Sequence, residues 1–139
     1  MKAIIADDEI LSIGTLKKLL EMKCPQVTVV AECENADDTR QKIIALQPDV
    51  VFLDIAMPGK SGLGMLAEMQ PVDFEVIFVT AFDEYTMQAI HYSAVDYLLK
   101  PVDEERLAEA VLKTEKRLQQ KRLSDTVQTL VYNLTQASS

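Results

Sequence analysis

The sequence predicts an α/β fold, a doubly wound five-stranded parallel sheet with helices on both faces. Three observations predict it. Five short runs rich in Val, Ile and Leu recur along the chain, each of strand length and mostly apolar. A stretch with apolar residues at helical spacing follows each run. The 139 residues, 48% hydrophobic and 26% charged, suffice for one ordinary domain with a real core and some chain left over.

The first strand is residues 3–6 (AIIA), ending at Asp7-Asp8. A helix over 9–23 follows, with Ile13, Leu16, Leu19 and Leu20 on one side. The β-branched run 27–31 (VTVVA) is the second strand, and 36–47 a helix carrying Ile43, Ile44 and Leu46. The third strand, 50–53 (VVFL), ends at Asp54 and leads to a helix over 62–70 with Leu63, Leu66 and Met69. The fourth, 76–79 (VIFV), ends at Thr80 and precedes a helix over 84–92 with Tyr85, Ala89 and Ile90. The fifth, 95–99 (VDYLL), ends at Lys100 and precedes a helix over 103–118 with Leu107, Val111 and Leu118. Runs this apolar read as strands buried on both faces, as parallel strands are. Right-handed crossovers then make a doubly wound unit over residues 1–118 with five helices.

Residues 119–139 differ. Leu123, Val127, Leu130 and Leu134 are spaced 4, 3 and 4, a helical stripe too narrow to fold alone. This segment reads as an extension of the fifth helix, frayed at its TQASS end, pairing with its counterpart in a dimer. The competing reading is a disordered tail.

Composition narrows the function. Acidic residues number 22 and basic ones 14, for a net charge of −8, a field that repels phosphate backbones. The segment is therefore not expected to grip nucleic acid by itself. No stretch approaches the roughly 18 apolar residues of a membrane span. The N-terminus turns acidic after one Lys and does not read as a signal peptide. Cys24 and Cys33 form no CxxC and point to packing roles in a reducing compartment, so the expected location is the cytoplasm.

The strands end in polar residues that core packing does not require. Open parallel sheets bind ligands outside the carboxyl ends of their strands, where strand order reverses. With the order 2-1-3-4-5, Asp7, Asp8 and Asp54 converge there, with Thr80 and Lys100 beside them. Three carboxylates and one ammonium leave two negative charges, which calls for a cation. All-oxygen ligands favour a hard ion such as Mg²⁺. A carboxylate beside such an ion can act as a nucleophile toward phosphorus. Asp54, alone at the end of the central strand, fits that role better than the adjacent pair, which suits sharing a cation. Thr80 can donate a hydroxyl to a phosphoryl oxygen, Lys100 adds positive charge, and Ala81 leaves room for approach. Pro58, Gly59 and Gly62 make a tight loop that walls the cleft.

The residues Asp7-Asp8, VVFLDIAMPGKSG (50–62), VIFVTAF (76–82) and DYLLKP (96–101) resemble a bacterial two-component response-regulator receiver domain, of the chemotaxis-receiver kind. The resemblance covers residues 2 to about 118 and implies a flavodoxin-like receiver fold. It implies that Asp54 is the phosphoacceptor, served by a sensor histidine kinase. It implies Mg²⁺ held by Asp8, Asp54 and the backbone carbonyl of Ala56, with Asp7 helping through water. Thr80 becomes the switch hydroxyl, Tyr97 the switch aromatic and Lys100 the phosphate-contacting lysine, with a cis Lys100–Pro101 peptide. Segment 81–101 further resembles receivers joined to a LytTR-type DNA-binding output domain, with Ser93 standing where the family more often has Gly or Asn. The implied outcome is homodimerisation on phosphorylation and control of an attached output domain in transcription. Such a domain is a signalling phosphoacceptor, not a turnover enzyme.

Plainer readings stand beside these. Asp7 or Asp8 alone would be a helix N-cap near Glu9, and Thr80 alone an ordinary strand threonine; only the combination favours a site. Tyr97 alone would be core, and His91 a helix-surface residue. Asp103 suits the start of its helix electrostatically. A flavin carrier of the same class needs a Ser/Thr/Gly-rich loop after strand one, where Asp7-Asp8-Glu9 stands instead. A phosphohydrolase with an aspartyl nucleophile needs a second Asp where Ala56 stands. The main alternative is a module that dimerises without phosphorylation and carries a vestigial acidic site.

Overall fold

A computed structural model of the chain describes residues 1–81 and 94–137. The expected helix over 84–92 lies outside the described residues, as do His91 and Ser93. Five parallel strands form one sheet in the order β2-β1-β3-β4-β5: β1 (Lys2–Ala6), β2 (Thr28–Cys33), β3 (Val50–Leu53), β4 (Glu75–Thr80) and β5 (Asp96–Leu99). Four helices are described: α1 (Ile10–Lys23), α2 (Ala36–Leu46), α3 (Gly62–Met69) and α4 (Glu104–Ala137). The doubly wound parallel architecture is the expected one.

The period of two along each strand sorts side chains onto the two faces. Ala3 and Ile5, Val50 and Phe52, and Ile77 and Val79 pack against α1 and α4, with Leu16, Leu20 and Leu107. Ile4 and Ala6, Val51 and Leu53, and Val76 and Phe78 pack on the other face, with Ile43, Leu63 and Leu66. The central strands are buried on both sides, which is why their sequences are apolar throughout. Cys24 belongs to the first layer and Cys33 to the second, so the sheet separates them; both thiols are free. Burial pushes both thiols up, Cys33 to about 11 with the Asp38 carboxylate adding to the effect.

Local chemistry fixes the helix starts. Asn35 Oδ1 accepts from the Asp38 N–H at 2.7 Å, Ser61 Oγ from the Gly64 N–H at 3.0 Å and Asp103 Oδ2 from the Arg106 N–H at 3.0 Å. Glu9, the N-cap of α1, makes no such side-chain bond.

Most element ends fall within one residue of the sequence reading; the end of β2 does not. β2 ends at Cys33, two residues later than expected, because the end of β1 continues to pair with it: Ala6 is in register with Cys33. A register shift between Ala3 and Ile4 absorbs the offset. The last helix runs unbroken past 118 to Ala137, so 119–137 extend it. Contacts with the sheet edge support its continuation: Arg117 pairs with Glu75 at 3.3 Å, and Lys121 binds both the carboxylate and the backbone carbonyl of Asp73. Leu123, Val127, Leu130 and Leu134 are all exposed. Leu118, Lys121, Arg122 and Asp125, on the opposite side of the helix, line a cleft of about 460 Å³ against the domain. Among the described residues, no helix is long and apolar enough to cross a membrane.

Candidate functional site

Parallel strands bring their carboxyl ends to one edge of the sheet. Asp7 follows β1, Asp54 follows β3, Thr80 closes β4 and Lys100 follows β5. Backbone ladders carry on past the strands and hold these residues in line. The Asp7 N–H donates to the Cys33 carbonyl, the Asp54 N–H to the Ala6 carbonyl and the Lys100 N–H to the Thr80 carbonyl, each at 2.9 Å. β1 and β3 flank the point where strand order reverses, so Asp7 and Asp54 face one crevice.

Lys100 is the hub. Its Nζ lies 2.7 Å from Asp7 Oδ2, 3.1 Å from Asp54 Oδ2 and 3.1 Å from Glu9 Oε1. The side chains of Lys100, Asp7 and Asp54 are 15%, 6% and 5% exposed, whereas Glu9 is 62% exposed at the mouth. Burial pulls the ammonium of Lys100 toward losing its proton, but the hydrogen bonds it donates to Asp7, Asp54 and Glu9 outweigh this and hold it above its ordinary range. Burial pushes the Asp7 carboxyl up, against the hydrogen bonds of Lys100 and of the Glu9 N–H; the nearby Asp54 charge adds to the rise.

The remaining oxygens are also placed. Asp7 Oδ1 accepts from the Glu9 N–H at 2.9 Å, and Asp54 Oδ1 from the Ala56 N–H at 3.2 Å. Asp7 thus orders the turn into α1 without being its N-cap. The loop after Asp54 turns at Gly59, whose φ of +78° suits only a residue without a Cβ penalty. Gly62 then tucks α3 under the strand end: its N–H donates to the Ile55 carbonyl at 2.9 Å. A Cβ at Gly62 would meet the Asp54 carbonyl oxygen at 2.5 Å and Leu53 Cγ at 2.9 Å.

Of the residues singled out from the sequence, Asp7, Asp8, Asp54 and Lys100 come together at this edge, and Thr80 adjoins Lys100 through the backbone, fully buried. Tyr97 lies three residues before Lys100, its ring 6.5 Å from that of Phe78 and tilted by 48°. The lysine–proline peptide is cis. One participant lies outside the residues the sequence pointed to: Glu9, whose only signal is a third acid in the run 7–9; Gly62, expected in the loop that walls the cleft, packs directly behind Asp54.

The donor set suits a divalent cation. Asp7, Asp8, Glu9 and Asp54 each offer a carboxylate oxygen within 4.8 Å of the others. Four carboxylates against one ammonium leave three negative charges in a partly buried space, one more than the sequence alone indicated. Hard oxygen donors with excess negative charge fit Mg²⁺.

A family model described as the response regulator receiver domain matches residues 3–112. The chain belongs to that family. Among curated relatives, this receiver domain is 44% identical over 126 residues to an uncharacterized response regulatory protein of Vibrio cholerae, covering 90% of the chain and 52% of the relative. It is 42% identical over 134 residues to the transcriptional regulatory protein BtsR of Escherichia coli K12, covering 96% and 54%. The chain thus spans about half the length of the curated relatives it matches. Among solved structures, the response regulatory domain of mrkE from Klebsiella pneumoniae superposes with a TM-score of 0.78 at 28% identity, covering 86% of this chain and 99% of that one. The REC domain of AraT, a response regulator from Geobacillus stearothermophilus, gives 0.77 at 33% identity, covering 87% and 97%.

Proposed function

We propose that this receiver domain accepts a phosphoryl group on Asp54 from a sensor histidine kinase in the cytoplasm. The observation that carries the reading is the convergence of Lys100 on Asp54 and Asp7 beside two further carboxylates, at the carboxyl edge of the sheet. In the transfer, a carboxylate oxygen of Asp54 forms a bond to phosphorus. The bond from phosphorus to the donor, a kinase histidine nitrogen or the acetate oxygen of acetyl phosphate, breaks, and the donor keeps the electron pair. Asp8, Asp54 and the carbonyl of Ala56 would hold Mg²⁺, with Asp7 helping through water; when bound, the ion would offset the charge of the carboxylates and of the phosphoryl oxygens. Lys100 supplies positive charge from the β5 side, and Thr80 donates its hydroxyl to a phosphoryl oxygen. Tyr97 then repacks beside Thr80, altering the face built by β5 and α4.

Residues 1–118 form the receiver unit, and 119–139 lead toward an output domain. The likeness to BtsR, named as a transcriptional regulatory protein, supports an output in transcription, and the resemblance of segment 81–101 points to the LytTR type. The role is that of a signalling phosphoacceptor. The test is intact-mass measurement after incubation with acetyl phosphate and Mg²⁺. Wild type gains a labile phosphoryl adduct and Asp54→Ala gains none; no adduct in wild type, or an equal adduct in the variant, refutes the assignment.

Phosphorylation promotes pairing of two copies through the exposed stripe of α4. Leu123, Val127, Leu130 and Leu134 fall on alternating 4- and 3-residue spacing and face away from the cleft against the domain. Leu130→Asp is expected to weaken association of the phosphorylated protein by about tenfold or more in Kd, the worth of burying one leucine. Sedimentation with and without beryllofluoride reads this. Equal association of wild type in both conditions favours the phosphorylation-independent module instead.

A further inference from the structure

Glu9 occupies an unusual place. As the N-cap of α1 its backbone is extended, the conformation from which a side chain ordinarily caps the first turn, yet its carboxylate makes no cap bond. It reaches instead across the crevice to the Lys100 ammonium, 3.1 Å away. The two residues come from opposite ends of the fold, 91 positions apart in sequence. Of the three carboxylates on Lys100, Glu9 is the outer one, exposed where Asp7 and Asp54 are buried. Its N–H at the same time fixes Asp7 Oδ1.

We propose that Glu9 is a positioning residue for Lys100: its carboxylate tethers the ammonium at the mouth of the crevice and so restrains the lysine from following a phosphoryl group bound to Asp54. This inference rests on the reading of Asp54 as phosphoacceptor. An incoming phosphoryl group competes with Glu9 for the same ammonium. In addition, an anionic donor must approach past the Glu9 charge. Both effects slow phosphoryl uptake, and removing the tether speeds it.

Two substitutions separate the tether from the charge. Glu9→Gln keeps the length of the side chain and removes its charge. Glu9→Asp keeps the charge but withdraws it by one methylene, out of reach of Lys100. Positioning predicts that both variants take up phosphoryl from acetyl phosphate faster than wild type, by roughly three- to tenfold, the scale of one lost charge contact near a protein surface. A second readout needs neither phosphate nor Mg²⁺. In lysine-labelled protein the Lys100 ammonium signal, assigned with Lys100→Arg, is expected to shift and its protons to exchange faster with water in both variants. Acceleration in Glu9→Gln with Glu9→Asp at the wild-type rate would reduce Glu9 to a surface charge and overturn the proposal. Unchanged Lys100 signals in both variants would overturn it too. Failure of wild type to form any adduct instead sinks the phosphoacceptor reading, while the ammonium signals still test the tether.

Discussion

Lys100→Met is expected to cost the fold roughly 3 kcal/mol in the presence of chelator, the scale for leaving a buried charge without its partner. Methionine keeps an unbranched apolar stem, so the loss reports the ammonium and not the packing. Without that ammonium, Asp7 and Asp54 stand buried beside Asp8 and Glu9 with no cation among them. Saturating Mg²⁺ is expected to narrow the gap between variant and wild type, since an ion that binds only the folded state stabilises it by mass action and binds the variant, which lacks the competing ammonium, more tightly. Acid narrows it as well. The Asp7 carboxyl is raised by burial in the folded protein, so over the carboxylate range the folded state holds more protons than the unfolded chain. Stability from this group is then full in acid and is lost as the pH rises through the raised value. The Lys100→Met change removes a hydrogen bond that lowers the Asp7 carboxyl, and so it enlarges that loss. Urea unfolding at two pH values, with chelator and with Mg²⁺, measures all of this. A variant as stable as wild type in chelator at neutral pH would show that the carboxylates are well solvated and the ion pairs incidental.

Gly62→Ala is expected to destabilise by about 1–3 kcal/mol, the usual cost of overpacking. Helix propensity alone points the other way, since alanine is worth up to about 1 kcal/mol over glycine within a helix. At the first residue of α3 that gain is small, and the added methyl would sit 2.5 Å from a backbone oxygen that cannot rotate aside. Either α3 lifts from the sheet or the Asp54 peptide shifts. Because Asp54 is the residue displaced, phosphoryl uptake is expected to fall with stability, although Gly62 touches no charged group of the site. Thermal unfolding together with acetyl phosphate uptake tests the pair. Normal uptake in a protein of normal stability would mean that the α3 start yields without moving Asp54.

The fold and the inner site were legible in the sequence for one reason. A parallel strand buried on both faces must be apolar, and a doubly wound topology must gather the strand ends at one edge. Val50–Leu53 followed by Asp54, and Lys2–Ala6 followed by Asp7, therefore announced both the strands and the crevice. What was less legible depends on contacts between distant segments. β2 has polar or exposed residues at alternate positions, so its end at Cys33 is set by pairing with Ala6 and not by its own pattern. The continuation of α4 leans on Arg117–Glu75 and Lys121–Asp73, pairs far apart along the chain. The contact of Glu9 with Lys100 was hidden because the two lie 91 positions apart, and only the folded chain puts Lys100 within its reach.

The unbroken α4 has a mechanical consequence. At 1.5 Å per residue, the part from Asp125, the last residue lining the cleft, to Ala137 projects about 18 Å from its seat. A straight rod of that length is a lever: a tilt of about 10° at its base would swing the tip by about 3 Å. Small repacking around β5 would thus arrive at the far end as a displacement comparable to the gap between hydrogen-bonded atoms.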